Sequence, residues 1–132
     1  MKMLMGAVLQ DGKWVMRQVD ASLDGLQELV DGGIEGLPLL VPGRDLVTVY
    51  GNEEARLLGM APSARRRFDD GTPADVIVGP LVALGGADEE GECTDLTPEG
   101  FEALQRGMVP LPVASGVVKH SHDVEIRVLS WK

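Results

Sequence analysis

Three consecutive arginines, Arg65, Arg66 and Arg67, form the one basic cluster of an acidic sequence. Guanidinium groups bind phosphate oxygens through paired hydrogen bonds, so this cluster predicts contact with a small phosphorylated or nucleotide ligand. The alternative interpretation is that these side chains are solvated and complemented by the nearby acids Asp69 and Asp70. The sequence alone leaves both interpretations open.

A second charged cluster is acidic and follows the arginines along the chain. Its carboxylates are those of Asp88, Glu89, Glu90, Glu92 and Asp95. Such a run can imitate nucleic-acid phosphates, which predicts docking on a basic host protein as an alternative function. The simpler interpretation is a solvated loop followed by a helix N-terminus, where acids are favoured.

Residue patterns typical of catalysis and metal binding are missing from the sequence. His120, His122 and Cys93 do not supply the four ligands at paired spacing of a structural zinc site. Ser115 lacks the flanking glycines of a nucleophile elbow, and acids beside Cys93 disfavour its thiolate. We therefore predict no catalytic residue, no metal and no cofactor. A small hydrolase or transferase with an unrecognised site stays open as an alternative.

Composition limits the cellular setting of the chain. It has 132 residues, a net charge of −9 and 44% hydrophobic residues, which is typical of one globular domain with a real core. The negative charge argues against direct nucleic-acid binding. The single cysteine favours a cytoplasmic location, and no apolar stretch approaches the roughly 20 residues of a membrane span.

The first thirty residues predict a hairpin followed by a helix. Two strand-like runs, residues 3–9 and 13–19, are joined at Asp11 and Gly12, a pair that tolerates the positive φ of a type I′ turn. After Ser22, leucines and a valine recur at helical spacing. We expect that serine to cap a helix that packs its aliphatic side chains on a sheet.

The chain after the next strand, residues 46–50, has two interpretations. Asn52 is expected either to cap a short helix over residues 52–59 or to begin a hairpin turn. A helix of this length is marginal alone, so the hairpin, returning through residues 56–60, is favoured.

The second half of the chain predicts further elements. Residues 62–67 predict one helical turn. Residues 74–84 predict a single central strand with either a bulge or a strand edge at Gly79-Pro80. Thr97, followed by a proline and an acid, predicts the start of a second helix.

Together these elements predict a compact α+β fold with about six strands, in a mostly antiparallel or mixed sheet, and two helices. The predicted domain covers residues 1–106. Residues 107–132 predict an extended arm and a final strand that packs on the same domain or on a partner subunit. Several short strands together with this extended arm also favour a homodimer, formed by strand exchange or sheet extension.

Several short motifs occur in a fixed order over roughly the first hundred residues. They lie at residues 22–30, 33–35, 52–54, 57–59, 75–80 and 95–97. This order resembles a family of small proteins of unknown function that is common in bacteriophages, plasmids and actinobacterial genomes. The resemblance implies a mobile-element origin and a compact α+β fold, and it supplies no catalytic residue.

These observations predict a non-catalytic accessory protein that acts by binding. The predicted ligand is a small phosphorylated molecule or nucleotide, captured in counter-defence. The predicted contacts are the three arginines together with the loop residues Glu35 and Asn52.

Overall fold

The structure, a computed structural model, describes residues 2–112. This part of the chain forms eight strands, two α-helices and a short 3₁₀ helix at Arg44–Leu46. The strands are β1 (Met3–Gln10), β2 (Lys13–Asp20), β3 (Ile34–Gly36), β4 (Val47–Asn52), β5 (Pro62–Arg67), β6 (Pro73–Val78), β7 (Leu81–Gly85) and β8 (Met108–Pro110). The helices are α1 (Leu23–Val30) and α2 (Pro98–Gly107). The predicted α+β class and helix number are confirmed, and the strand number is higher than predicted.

Every strand pair is antiparallel, and the strands form two sheets. The larger sheet has five strands in the order β2-β1-β7-β4-β3, and the smaller has the order β6-β5-β8. Two sheets thus replace the single sheet that the sequence predicts. They meet where the chain crosses from β4 to β5 and from β6 to β7.

The five-stranded sheet is buried on both faces. Helix α1 covers one face with an aliphatic cluster that includes Leu26, Val30 and Val82. The opposite face packs on α2 and on the three-stranded sheet, through residues such as Leu104 and Ala64. All five residues of β7 are buried, because this strand lies in the middle of the sheet.

The local signals in the sequence correctly place the hairpin and both helix starts. Asp11 and Gly12 form the turn of the hairpin between β1 and β2, with φ values of 52° and 78°. The hydroxyl of Ser22 accepts a hydrogen bond from the Gly25 amide at 3.1 Å. Thr97 caps α2 in the same way. These three predictions are confirmed, since each depends on contacts within a few residues.

The prediction of a helical turn at residues 62–67 is wrong, because this segment is strand β5. It pairs with β6 on one side and with β8 on the other. Strand β8 follows β5 by some forty residues in the chain, and β5 itself has no β-branched residue. The strand conformation therefore comes from pairing rather than from local preference.

The prediction of one strand over residues 74–84 is also wrong. The segment is divided into β6 and β7, which belong to different sheets. Gly79 has a φ of 87°, a conformation that turns the chain from one sheet to the other. The sequence predicted a bulge or a strand edge at Gly79-Pro80 within one strand, whereas the chain passes from one sheet to the other there.

Residues 53–59 form successive turns, so neither the predicted hairpin nor the alternative helix is present. The Ala55 amide donates to the Asn52 carbonyl at 3.2 Å, and the Leu58 amide donates to that of Glu54 at 2.9 Å. The Met60 amide closes the segment by donating to the Ala55 carbonyl at 3.0 Å. Residues 53–60 are called the crossover loop below, since they connect the two sheets.

The described part of the predicted arm begins with β8, which pairs with β5. The fully buried Met108 lies in this strand, and its carbonyl accepts a hydrogen bond from Trp14 Nε1 at 2.8 Å. The predicted final strand lies outside the described residues, as do Ser115, His120 and His122. No helix within residues 2–112 is long and apolar enough to cross a membrane.

Candidate functional site

A cleft of about 330 Å³ lies between the two sheets. One wall comes from β3, the end of β4 and the crossover loop, and the other comes from β5 and β6. The charged lining residues are Glu35, Glu53, Arg56, Arg66 and Asp75, and the larger apolar ones are Leu37, Leu57, Ile77 and Val78. Small-molecule sites have volumes of about 300 to 1,000 Å³, so the cleft is large enough for a small ligand.

Arg66 is held in the cleft by two strands and a loop. Its Nε and Nη2 atoms donate to the two carboxylate oxygens of Asp75 on β6, at 2.9 and 2.8 Å. Its Nη1 atom donates to the Pro38 carbonyl at 2.7 Å. The hydrogen bonds to Asp75 raise the pKa of Arg66, and those from Arg66 lower the pKa of Asp75. Both groups are therefore charged near neutral pH, and the arginine charge is largely balanced.

Arg56 brings a second guanidinium into the cleft from the crossover loop. Its Nη2 atom donates to the Val76 carbonyl on β6 at 2.6 Å, and its charge also helps to lower the pKa of Asp75. Within residues 2–112 its other N–H groups make no hydrogen bond to protein. Sequence reasoning missed Arg56, because it assigned the residue to a strand. The available signal was an isolated arginine between the polar Asn52 and the turn residue Gly59.

Asn52, a predicted ligand contact, anchors the crossover loop. Its side chain is buried, and its Nδ2 atom donates to the Val30 and Asp31 carbonyls at the end of α1, each at 3.0 Å. Its Oδ1 atom accepts from the Glu54 amide at 2.7 Å. These contacts use the amide group, so Asn52 positions the loop that carries Arg56.

Glu35 and Glu53 supply carboxylates to the cleft beside Asp75. Glu35 lies on β3, and Glu53 begins the crossover loop. The carboxylate of Glu53 lies over Gly33, where an added Cβ would overlap it. The three carboxylates outnumber the two guanidinium groups, so the cleft has mixed charge with an acidic excess.

The structure divides the arginine cluster of the sequence. Side chains alternate between the two faces of a strand, so Arg66 lines the cleft while Arg65 and Arg67 do not. The Nη1 atom of Arg67 instead donates to the Gly71 carbonyl at 2.8 Å. Of the five predicted ligand contacts, Glu35, Asn52 and Arg66 come together in the cleft.

The predicted acidic docking patch lies on the connection between β7 and α2. Asp88 accepts hydrogen bonds from the Glu90 and Glu92 amides, and Asp95 accepts one from the Met5 amide on β1 at 2.7 Å. These two carboxylates therefore stabilise the local backbone. The side chain of Glu92 lies 3.7 Å from Lys2 Nζ, while Glu89 and Glu90 belong to exposed residues.

The described residues also bear on metal binding. Within residues 2–112, no group of three or more His, Cys, Asp or Glu side chains is placed to hold a metal ion. Cys93, the cysteine considered for a zinc site, lies 3.8 Å from the Tyr50 hydroxyl. The prediction that the protein has no metal and no cofactor stays a prediction.

Comparison with known proteins assigns the chain to a sequence family. Residues 2–108 match the family described as a domain of unknown function, DUF3846. No curated protein and no solved structure matches the chain. The matched region contains both sheets up to the first residue of β8, both helices and every residue of the cleft. The expected membership in a family of unknown function is confirmed, and the chain belongs to the DUF3846 family.

Proposed function

We propose that the protein binds, without catalysis, a small phosphorylated ligand of about the size of a nucleoside monophosphate. The observation that carries this proposal is the position of Arg56, whose guanidinium is held by the Val76 carbonyl at the wall of a cleft of about 330 Å³ that also contains acceptors. A ligand that combines one anionic group with several O–H or N–H groups complements this arrangement.

Arg56 is the principal contact for the phosphate in this proposal. One N–H group holds the guanidinium against the Val76 carbonyl, which orients the planar group and leaves its other donors for a ligand. Guanidinium groups bind phosphate oxygens with two parallel hydrogen bonds. Arg66 adds a weaker contribution, because Asp75 and the Pro38 carbonyl already use three of its donors.

The acidic excess of the cleft favours a ligand with a single phosphate. Glu35 and Glu53 accept hydrogen bonds from sugar hydroxyls or base amino groups, but they repel additional phosphates. The apolar residues Leu57 and Val78, which also line the cleft, provide a surface for a base. We therefore expect monophosphates to bind more tightly than both the triphosphates and the uncharged nucleosides.

The charge states of Arg66 and Asp75 favour a positioning role for this pair over proton transfer. The pKa of Arg66 is raised and that of Asp75 is lowered, so each group favours its charged form. General acids and bases instead work best when their pKa is close to the ambient pH. The paired residues thus act as fixed charges near neutral pH.

Calorimetry on the full chain tests the proposed ligand class. The panel consists of linear and cyclic purine and pyrimidine monophosphates, with the matching nucleosides and triphosphates. We expect at least one monophosphate to bind about tenfold more tightly than its nucleoside and its triphosphate. The variant Arg56→Gln should lose this preference, whereas Arg65→Gln, a control outside the cleft, should keep it. Absence of binding at about 1 mM ligand would contradict the proposal.

The sequence resemblance supports a further part of the proposal, which is that the protein comes from a phage or another mobile element. In such an element, capture of a phosphorylated host signal would counteract the defence of the host. Expression in a host that carries a nucleotide-based defence system tests this role. We expect the wild-type protein, but not Arg56→Gln, to restore phage growth, and equal growth with both would contradict it.

A further inference from the structure

Strand β2 is an open edge of the five-stranded sheet. On β1, Met5 directs its amide to Asp95 and its carbonyl to the Leu96 amide, away from β2. The even-numbered residues of β1 therefore exchange backbone hydrogen bonds with the odd-numbered residues of β2 that lie opposite them. The backbone groups of Trp14, Met16 and Gln18 consequently face outward, and no residue within 2–112 pairs with them.

A groove of about 240 Å³ lies between this edge and helix α1. Met3, Val19 and Leu29 form its apolar part. Arg17 and Glu28 provide opposite charges. Val19 lies under α1, so strand alternation places Lys13, Val15 and Arg17 on the same face of the sheet. An added strand would thus place every second side chain on the α1 side of this edge.

We propose that a second copy of this chain occupies the edge. The two β2 strands pair antiparallel about a two-fold axis, which joins the two sheets into one of ten strands. Each copy supplies the backbone donors and acceptors that the other requires. The sheet order β2-β1-β7-β4-β3 places the cleft at the opposite edge, so this inference does not depend on the proposed function.

Charge selects one of the two pairing registers that overlap nearly all of β2. One register places Arg17 directly opposite Arg17 of the second copy, where like charges repel. The other places Met16 opposite its own copy and Val15 opposite Arg17. We assign the second register, because it pairs the outward backbone groups without placing like charges opposite each other.

The selected register also places opposite charges close together. Lys13 of the second copy lies opposite Val19, at the groove that contains Glu28. Within one chain these two residues are distant, since Lys13 is six residues from Val19 along β2, or about 20 Å. Two symmetric Lys13–Glu28 ion pairs are therefore possible between copies and not within one.

Sedimentation of the full chain with charge-exchange variants tests this dimer. We expect the wild-type protein to be a dimer at about 100 μM. Lys13→Glu and Glu28→Lys should each weaken the dimer about tenfold, and the double variant should recover most of the loss. Recovery is a result that simple unfolding does not produce. A wild-type protein that stays monomeric would overturn the proposal. If the Trp14 and Gln18 amides of that monomer were protected from hydrogen exchange, another segment would cover the edge, and the proposal would be overturned in the same way.

A proline variant tests the edge independently of charge. Gln18→Pro removes an amide that faces outward, so it should leave the monomer folded and weaken the dimer by at least tenfold. Gln18→Ala is the matched control, since it removes the same side chain and keeps the amide. Circular dichroism establishes that both variants are folded. A dimer that is equally stable in both variants would place the interface elsewhere and overturn the proposal.

Discussion

The contact between Arg66 and Asp75 determines how much arginine charge the cleft offers. The guanidinium group of Arg66 is mostly buried, with 17% of its side chain exposed, whereas the Asp75 side chain is 45% exposed. The bidentate hydrogen bonds fix the position of the Arg66 guanidinium, and the Asp75 carboxylate partly neutralises its charge. Arg56 retains more unused hydrogen-bond donors than Arg66 does. Arg56 is therefore better suited to bind a ligand, although the sequence did not single it out.

The pH dependence of stability should report on the Asp75 pair. The pKa of Asp75 is lowered in the folded protein, mainly by hydrogen bonds from Arg66. The pair therefore stabilises the fold above the ordinary pKa of 3.8, and this stabilisation is lost as the pH falls through the lower folded-state value. We expect Asp75→Asn to reduce the free energy of unfolding by about 1 kcal/mol at neutral pH.

Urea denaturation at about pH 7 and about pH 2.5 measures this effect. The difference between the wild type and Asp75→Asn should shrink at the lower pH. Asp69→Asn, at an exposed residue, is the control and should have little effect at either pH. A difference for Asp75→Asn that is equally large at both pH values would contradict the assigned cause.

Sequence reasoning found the region of the cleft but not its full chemistry. It selected Glu35, Asn52 and Arg66, which the structure brings together. It treated Arg65, Arg66 and Arg67 as one cluster because they are consecutive in the sequence. On a strand, neighbouring side chains point to opposite faces, so the cluster is divided. The sequence was enough to predict which residue types could contact a ligand. The direction in which each side chain points could be predicted only with the correct secondary structure.

At the scale of elements, the Gly79-Pro80 junction makes the two-sheet arrangement possible. Gly79 has a positive φ, and an added Cβ would lie 2.9 Å from Ala55 Cβ and 3.0 Å from Met60 Sδ. The junction thus packs directly against the crossover loop. Two of the three connections between the sheets meet at this point, so a side chain at Gly79 would disturb both of them.

We expect Gly79→Ala to destabilise the protein by about 2 to 3 kcal/mol. About 1 kcal/mol comes from the positive φ, and the rest comes from overlap with the crossover loop. Gly71→Ala separates the two causes, because Gly71 has a φ of 86° and no atom within 4 Å of an added Cβ. Equilibrium denaturation measures both variants. Equal losses for the two variants would show that the close packing at Gly79 has no energetic effect.

The elements that the sequence predicted correctly are those with local causes. The Asp11-Gly12 turn, the Ser22 cap and the Thr97 cap each depend on contacts within a few residues. Strand β5 depends on β8, which follows it by some forty residues in the chain. No pattern within β5 contains that information, so its strand conformation was not predictable from the local sequence.

At the scale of the molecule, one core connects the two sheets. Ala64 of β5 and Ile77 of β6 belong to the same cluster as Trp14 and Val49 of the larger sheet. Met108 completes this cluster, and its carbonyl binds the Trp14 indole. Because the core is shared, we expect both sheets to unfold together in one transition.

A Met108→Ala variant tests whether the shared core unites the molecule. Met108 is fully buried, so removing most of its side chain should cost about 3 kcal/mol. Trp14 fluorescence, measured with Trp131→Phe to remove the second indole, reports on the larger sheet, and circular dichroism reports on all elements. Met3→Ala, at a residue that is 50% exposed, is the control. The two signals should change together in every variant, because a separate transition of the smaller sheet would require its own core.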